Sequence, residues 1–189
     1  MNVVLIGYRG SGKSTVGRAL ARRLGWPYLD TDGLAEARCG MSIRELYADR
    51  AEEGFRDIEA AVIAEVAGLD EHVIATGGGA VLRDGNVAAL RRNGVVVYLE
   101  AAPELLWERI FADDTRRHSR PEVNAARGLS LVREELQARS PVYRRAADCV
   151  IDTTGRSVQD IVELIVGRLA SPDPVAGRPE GSERSPRAV

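Results

Sequence analysis

The sequence predicts an α/β fold in which a five-stranded parallel sheet carries helices on both faces. Short apolar runs rich in β-branched residues alternate with segments of helical periodicity along the chain, which is typical of parallel sheets with crossover helices. A glycine-rich stretch joins the first apolar run to the first helical segment, and no internal repeat is present. The length of 189 residues, with 44% hydrophobic and 29% charged residues, suits one globular domain.

The five strands are predicted where β-branched and other apolar residues form short runs. In chain order these runs occupy residues 2–7, 27–30, 72–76, 95–100 and 148–152. Ligand sites in such sheets lie at the carboxyl ends of the strands, so the loops that follow the strands are where function is expected.

Helices are predicted where apolar residues recur at spacings of three and four. In the first helix this pattern runs up to Gly25, which suits a helix end. Ser42 followed by Glu45 forms a capping-box pattern, and Pro103 fits the first turn of another helix. The predicted helices span residues 13–25, 32–40, 42–50, 52–69, 83–93, 103–110, 129–140 and 157–170.

Two segments lack these patterns. Residues 113–127 are charged, without apolar periodicity, and too many for a simple connection, so we expect a lid. Residues 171–189 are rich in Pro, Gly, Ser and Arg, which predicts a disordered tail after a domain at 1–170. No apolar run approaches the roughly 20 residues of a membrane span, and the first residues do not resemble a signal peptide. A cytoplasmic location is the default expectation.

A phosphate-binding loop is the strongest local signal. The stretch GYRGSGKS, residues 7–14, fits G-x-x-x-x-G-K-[ST] and lies between a predicted strand and a predicted helix, as that motif requires. Its glycines let the backbone wrap a phosphate, and successive N–H groups point at the anion. Lys13 is expected to reach the β- and γ-phosphates, and the Ser14 hydroxyl to bind Mg²⁺. The predicted nucleotide-binding residues here are Gly10, Ser11, Gly12, Lys13, Ser14 and Thr15.

Lys13 is the only lysine among the 26 Lys and Arg residues of the chain. An ammonium is a compact point charge, whereas a guanidinium is a wide planar fork. A loop closed tightly around a phosphate admits the first and crowds the second. We therefore expect arginine not to replace Lys13.

Two further segments follow predicted strands. Asp30 and Asp32 follow the second strand, where one carboxylate can support hydrated Mg²⁺ and the other can accept a proton from an attacking hydroxyl. A helix N-cap beside a solvated acid is the alternative interpretation of this pair. Gly77, Gly78 and Gly79 follow the third strand, which gives bare backbone where a ligand can approach. A flexible turn is the alternative there.

Three arginines occupy suggestive positions. Arg56 lies three residues before Glu59, which can orient it; Arg120 lies in the charged segment 113–127, and Arg139 lies in the stretch QARSPVYRR. The arginine fork suits a carboxylate or a phosphate. A solvated surface charge is the alternative for each of them.

Taken in order, the motifs GYRGSGKSTVG, LDTD, FRDIE, ATGGGAV, SRP and ARSPVYRR resemble the shikimate kinases. The resemblance covers about residues 2–169, and TGGG and R-x-P-x-Y beside a phosphate loop are far more specific than the loop alone. It implies a fold like that of nucleoside monophosphate kinases, with a mobile lid. The implied reaction transfers the γ-phosphate of ATP to the 3-hydroxyl of shikimate, in the route to chorismate and the aromatic amino acids. A monomer is also implied.

The resemblance also implies roles for individual residues. Asp32 would bind the substrate hydroxyls and serve as base or orienter. Arg56 and Arg139 would grip the shikimate carboxylate, and Gly78, within Gly77–Gly79, would offer backbone N–H groups. Arg120 would move in with the lid, which gives the catalytic set Lys13, Asp32 and Arg120.

Metal and adenine contacts follow from the same resemblance. Asp30 would support Mg²⁺ through water, together with Ser14. Arg109 resembles an adenine-side arginine, and Arg156 would pack on the adenine too. The chain departs from the family pattern in two places: Glu122 and Val123 follow Arg120-Pro121 where many members have two leucines, and Val158 stands where a proline is often found after Arg156.

Alternative functions remain open on the same scaffold. The nearest is another small-molecule kinase, such as a gluconate kinase or a nucleoside monophosphate kinase; Arg56 and Arg139 around TGGG favour a carboxylated polyol. A nucleotide-sensing regulatory domain is an alternative of another class. Nucleic-acid binding by the basic residues of segment 113–127 is disfavoured, because that segment has no interleaved aromatic residues and the net charge is −2.

Overall fold

A computed structural model of the chain describes residues 1–112 and 128–171. The predicted lid at 113–127, with Arg120, lies outside the described residues. Residues 172–189, nearly all of the predicted tail, also lie outside them.

The centre of the structure is a five-stranded sheet in the order β2-β3-β1-β4-β5, with every neighbouring pair parallel. The strands are β1 Asn2–Ile6, β2 Tyr28–Asp30, β3 Val73–Ala75, β4 Gly94–Glu100 and β5 Cys149–Asp152. The predicted parallel sheet is confirmed, and β1 lies at its centre between β3 and β4.

Seven α-helices surround the sheet in the part of the chain that the structure describes. They are α1 Lys13–Leu24, α2 Thr31–Cys39, α3 Ile43–Ala67, α4 Asp84–Arg92, α5 Pro103–Ala112, α6 Gly128–Ala146 and α7 Val158–Leu169. A 3-10 turn at Ala80–Leu82 precedes α4. Within the described ranges, no helix is long and apolar enough to cross a membrane.

Side-chain alternation along β1 shows why helices cover both faces. Successive residues of a strand point to opposite faces, and Val3 and Leu5 belong to one apolar cluster while Val4 and Ile6 belong to the other. Helices α1 and α7 complete the first cluster, and α3, α4, α5 and α6 complete the second. Burial on both sides also explains why the strands read as continuous apolar runs rather than as alternating ones.

Helix α3 matches the two helices that the sequence predicts at 42–50 and 52–69. It has non-helical backbone at Ala51, with φ 56° and ψ −179°, so two helical segments meet at a kink. The first segment begins with the predicted capping box of Ser42 and Glu45. The second segment carries Arg56 and Glu59 towards the sheet.

Helix α6 differs from its prediction. The sequence pattern ends the helix at residue 140, but α6 continues through Pro141 to Ala146. Proline removes one backbone hydrogen bond of a helix, yet Tyr143 beyond it is 1% exposed and stacks on Tyr98 with ring centroids 5.1 Å apart. Aromatic burial of this size outweighs the lost hydrogen bond, so the predicted end was wrong.

Candidate functional site

The loops after β1, β2 and β3 meet at one edge of the sheet. These strands are neighbours in the order β2-β3-β1 and run parallel, so their carboxyl ends lie side by side. The phosphate loop, the Asp30–Asp32 segment and Gly77–Gly79 follow those ends directly. The sheet therefore assembles the three segments that the sequence predicts to be functional.

The phosphate loop has the backbone that its sequence predicts. Gly10 and Gly12 have φ values of 78° and 95°, in the left-handed region that favours glycine. Helix α1 begins at Lys13, so its free N–H groups open into the loop. The Lys13 ammonium folds back over the loop, where its Nζ donates to the carbonyl oxygens of Gly7 at 2.8 Å and Tyr8 at 2.9 Å. The loop thus combines free backbone N–H groups with one ammonium group, which suits an anion.

The two adenine-side candidates lie in different places. Arg109 on α5 donates from Nη1 to the carbonyl oxygen of Gly10 at 3.3 Å, so it lies against the phosphate loop. Arg156 is exposed in the loop after β5, a strand that β4 separates from β1. The structure thus brings Arg109 to the phosphate loop, and it leaves the role of Arg156 as a prediction.

Asp30 is held by hydrogen bonds to both of its carboxylate oxygens. Oδ1 accepts from the backbone N–H of Asp32 at 3.2 Å, as the N-cap of α2. Oδ2 accepts from the hydroxyls of Ser14 at 3.2 Å and Tyr28 at 3.1 Å. Burial, then the charge of Asp30, raises the pKa of Tyr28 to about 12, so the phenol remains a donor. The N-cap interpretation is correct for Asp30, which also faces Ser14.

The Ser14–Asp30 pair fits a magnesium ion bound with a nucleotide. Mg²⁺ usually keeps several waters and takes one or two protein oxygens plus substrate phosphates, and a hydroxyl beside a carboxylate at the phosphate loop supplies such oxygens. In residues 1–112 and 128–171 no group of three or more His, Cys, Asp or Glu could hold a metal. The hydroxyl of Ser14 and the carboxylate of Asp30 suit an ion whose remaining ligands come from nucleotide phosphates and water.

Residues 77 and 79 must be glycines, because neighbouring side chains leave no room for a Cβ atom at either position. A Cβ on Gly77 would lie 2.5 Å from Asp32 Oδ1 and 2.7 Å from Glu59 Oε1, and a Cβ on Gly79 would lie 2.5 Å from Arg56 Cζ. These distances are well inside van der Waals contact. The glycines thus let the Asp32 carboxylate and the Arg56 guanidinium close on the same loop.

Arg56 is fixed by a buried ion pair, as its spacing from Glu59 predicts. Its Nη1 lies 2.8 Å from Glu59 Oε2, and the two side chains are 10% and 2% exposed. Its Nη2 also lies 3.2 Å from Glu52. Burial lowers the pKa of Arg56, but the charge and hydrogen bond of Glu59 outweigh it and leave that pKa raised. Arg56 is therefore a permanent cation in a fixed position.

Helix α6 brings the second arginine and a tyrosine to the same glycine loop. The Tyr143 hydroxyl donates to the carbonyl oxygen of Gly78. Burial raises the pKa of Tyr143, and the positive charge of Arg139, one turn earlier, opposes that rise. Arg139 therefore lies near the Tyr143 side chain, whose hydroxyl contacts Gly78, while Arg56 of α3 lies against Gly79 of the same loop. A Cβ on Gly78 would meet nothing closer than 3.6 Å, so this position is the most open of the three.

Some side-chain contacts in the site could not be predicted from any sequence motif. Tyr143 is the last residue of the R-x-P-x-Y motif, which marks it without giving its partner. Tyr8, Tyr28 and Glu135 were not predicted as site residues. Tyr28 bonds to Asp30 two residues along the same strand, whereas the hydrogen bond between Tyr8 and Glu135 depends on packing between elements 127 residues apart.

A family model described as shikimate kinase matches residues 9–170. The curated shikimate kinase of Symbiobacterium thermophilum is 48% identical over 169 residues, which are 89% of this chain and 96% of that relative. The chain belongs to the shikimate kinase family. This confirms the resemblance drawn from the motifs, and the match extends over nearly the whole length of the relative.

Solved structures agree with this membership. The shikimate kinase from Acinetobacter baumannii in complex with shikimate is 34% identical, with a TM-score of 0.83, and the match covers 89% of this chain and 92% of that one. The shikimate kinase from Bacteroides thetaiotaomicron is 29% identical, with a TM-score of 0.82 and coverage of 89% and 98%. A gluconokinase from Sinorhizobium meliloti, at 21% identity and a TM-score of 0.52, shares the fold alone.

Proposed function

We propose that this chain transfers the γ-phosphate of ATP to the 3-hydroxyl of shikimate. The observation that carries the proposal is the meeting of a phosphate loop with Asp32 and Arg56 at Gly77–Gly79, with Arg139 beside Tyr143, which contacts Gly78. A phosphate loop binds nucleotides in general, whereas a carboxylate and an arginine on a glycine loop, with a second arginine close by, suit a carboxylated polyol. Membership of the shikimate kinase family, whose members use ATP, supports the same assignment, as does a structural neighbour in complex with shikimate.

On the nucleotide side, the loop N–H groups and Lys13 bind the phosphates. The Lys13 ammonium exchanges its two loop carbonyls for phosphate oxygens, which a compact cation with rotatable donors can do without moving the loop. As charge shifts towards the leaving group, this fixed cation stabilises it. Ser14 and Asp30 would hold Mg²⁺, which neutralises phosphate charge when bound.

On the acceptor side, Asp32 aligns the attacking hydroxyl and accepts its proton. Its Oδ1 lies close above the Gly77 backbone, so a substrate seated on the glycine loop has its hydroxyls beside this carboxylate. Arg56 and Arg139 grip the substrate carboxylate, because their planar forks match its two oxygens. Phosphoryl transfer depends mainly on such positioning. A contribution of Arg120 to the transferring phosphate remains a prediction, since this residue lies outside the described ones.

A coupled ADP-release assay tests the proposal. The purified chain is given ATP and Mg²⁺ with shikimate, gluconate or several nucleoside monophosphates, and ATP without acceptor gives the background. We expect turnover with shikimate far above the others, and phosphorus-coupled NMR of the product to place the phosphate on the 3-hydroxyl. Turnover with gluconate or a nucleoside monophosphate, and none with shikimate, would contradict the proposal.

A further inference from the structure

A cluster of four side chains joins the phosphate loop to α6, and none of its contacts is used in the function proposed above. The Tyr8 hydroxyl donates to Glu135 Oε2 at 2.6 Å, and Arg9 Nη2 donates to the Tyr8 hydroxyl at 3.1 Å. The same Glu135 oxygen lies 3.8 Å from Arg9 Nη2 and 3.6 Å from Arg139 Nη2. One carboxylate oxygen therefore serves a phenol and two guanidinium groups.

The helical spacing of α6 explains how this cluster reaches the substrate site. Residues four apart lie on one face of a helix, so Glu135, Arg139 and Tyr143 form a row. The first contacts Tyr8 in the phosphate loop, and the last contacts Gly78 in the glycine loop. Arg139 lies between these two anchors, with its Cζ 5.9 Å from the centre of the Tyr8 ring.

The Tyr8–Glu135 hydrogen bond has a buried donor that keeps its proton at neutral pH. Tyr8 is 1% exposed, and burial, followed by its hydrogen bond to Glu135, raises its pKa to about 12. The phenol is therefore protonated at neutral pH and donates to the Glu135 carboxyl oxygen over a short distance. Glu135 in turn has a fixed carboxylate, against which a long arginine side chain can be ordered.

We propose that Glu135 is a positioning residue for Arg139. Its carboxylate, anchored by the Tyr8 hydroxyl, holds the Arg139 guanidinium between Tyr8 and Tyr143, near the glycine loop that Tyr143 contacts, before the substrate arrives. The inference rests on the proposed function, in which Arg139 grips the substrate carboxylate. An arginine ordered in advance loses less conformational entropy on binding, so the benefit falls on shikimate affinity. Because Tyr8 belongs to the phosphate loop, that loop takes part in ordering Arg139 through the Tyr8–Glu135 hydrogen bond.

The test compares KM and kcat of Glu135 variants. Glu135→Ala should raise the KM for shikimate up to about tenfold, the cost of ordering one long side chain on binding, with kcat and the KM for ATP changed less than about twofold. Glu135→Gln keeps an acceptor oxygen and should restore the KM to within about threefold. Glu104→Ala in α5 is the control, since it removes an exposed ion pair with Arg133, which lies on α6 like Glu135, and should leave the KM for shikimate unchanged.

Tyr8→Phe supplies an independent test, because it removes the anchor and leaves the carboxylate. The effects of Tyr8→Phe and Glu135→Ala on the KM for shikimate should be non-additive, since both act through one hydrogen bond. An unchanged or lowered KM in Glu135→Ala, additive effects, or no recovery in Glu135→Gln would each overturn the inference. An absence of shikimate turnover in the unsubstituted chain would instead refute the proposed function.

Discussion

Gly79→Ala tests whether the position of Arg56 controls substrate binding. The added methyl carbon would lie 2.5 Å from Arg56 Cζ, whereas carbon atoms pack at about 3.5–4.0 Å. The guanidinium must therefore move by about 1 Å, which disturbs its pairing with Glu59, now at 2.8 Å. A misplacement of about 1 Å in a positioning group costs on the order of 10²-fold. We expect kcat/KM for shikimate to fall by about that factor.

Steady-state kinetics with shikimate and ATP varied in turn measure this effect. The loss should appear in kcat/KM for shikimate, while the KM for ATP stays within about twofold, because Arg56 does not contact the phosphate loop in the proposed site. Gly85→Ala in α4 is the control, since a Cβ there meets nothing within 4 Å. A folded Gly79→Ala protein with an unchanged kcat/KM for shikimate would refute the reasoning that Arg56 binds the substrate from this position.

Three further substitutions test other parts of the structure. Lys13→Arg should leave a folded protein with little or no ADP release, because the planar fork does not fit the wrapped phosphate; near-normal turnover would sink this reasoning. Asp32→Asn should keep nucleotide affinity but lose about 10²–10⁴-fold in kcat, and an unchanged kcat would remove Asp32 from the mechanism. Gly167→Ala, at an exposed position of α7 with no atom within 4 Å of the new Cβ, should stabilise the protein by about 0.5–1 kcal/mol. Its melting temperature should rise by about 1–4 °C, and a fall would contradict the open space at this site.

The arrangement of the sheet could be predicted because its signals are local. Each strand is a short apolar run, each helix has its own periodicity, and parallel strands need crossover helices. Even the kink at Ala51 had a trace in the sequence, where two helical patterns meet. The end of α6 could not be predicted, because the burial of Tyr143 against Tyr98 is a contact across 45 residues that overrides the local effect of Pro141.

The candidate site could be located for a similar reason, but its internal contacts could not. The rule that ligands bind at the carboxyl ends of parallel strands brings Lys13, Asp32 and Gly77–Gly79 together without any structure. It does not show that Gly77 and Gly79 are pressed by Asp32, Glu59 and Arg56. It also gives no reason for a hydrogen bond between Tyr8 and Glu135, since side-chain partners across 127 residues leave no periodic pattern.

The most direct test of a carboxylate-recognising site compares shikimate with its methyl ester. The ester keeps every hydroxyl but removes the charge that Arg56 and Arg139 are proposed to bind. The chain should turn over shikimate with a kcat/KM on the order of 10²-fold higher than the ester, and Arg139→Ala should reduce this preference to about tenfold. Equal turnover of acid and ester by the unsubstituted chain would contradict the account.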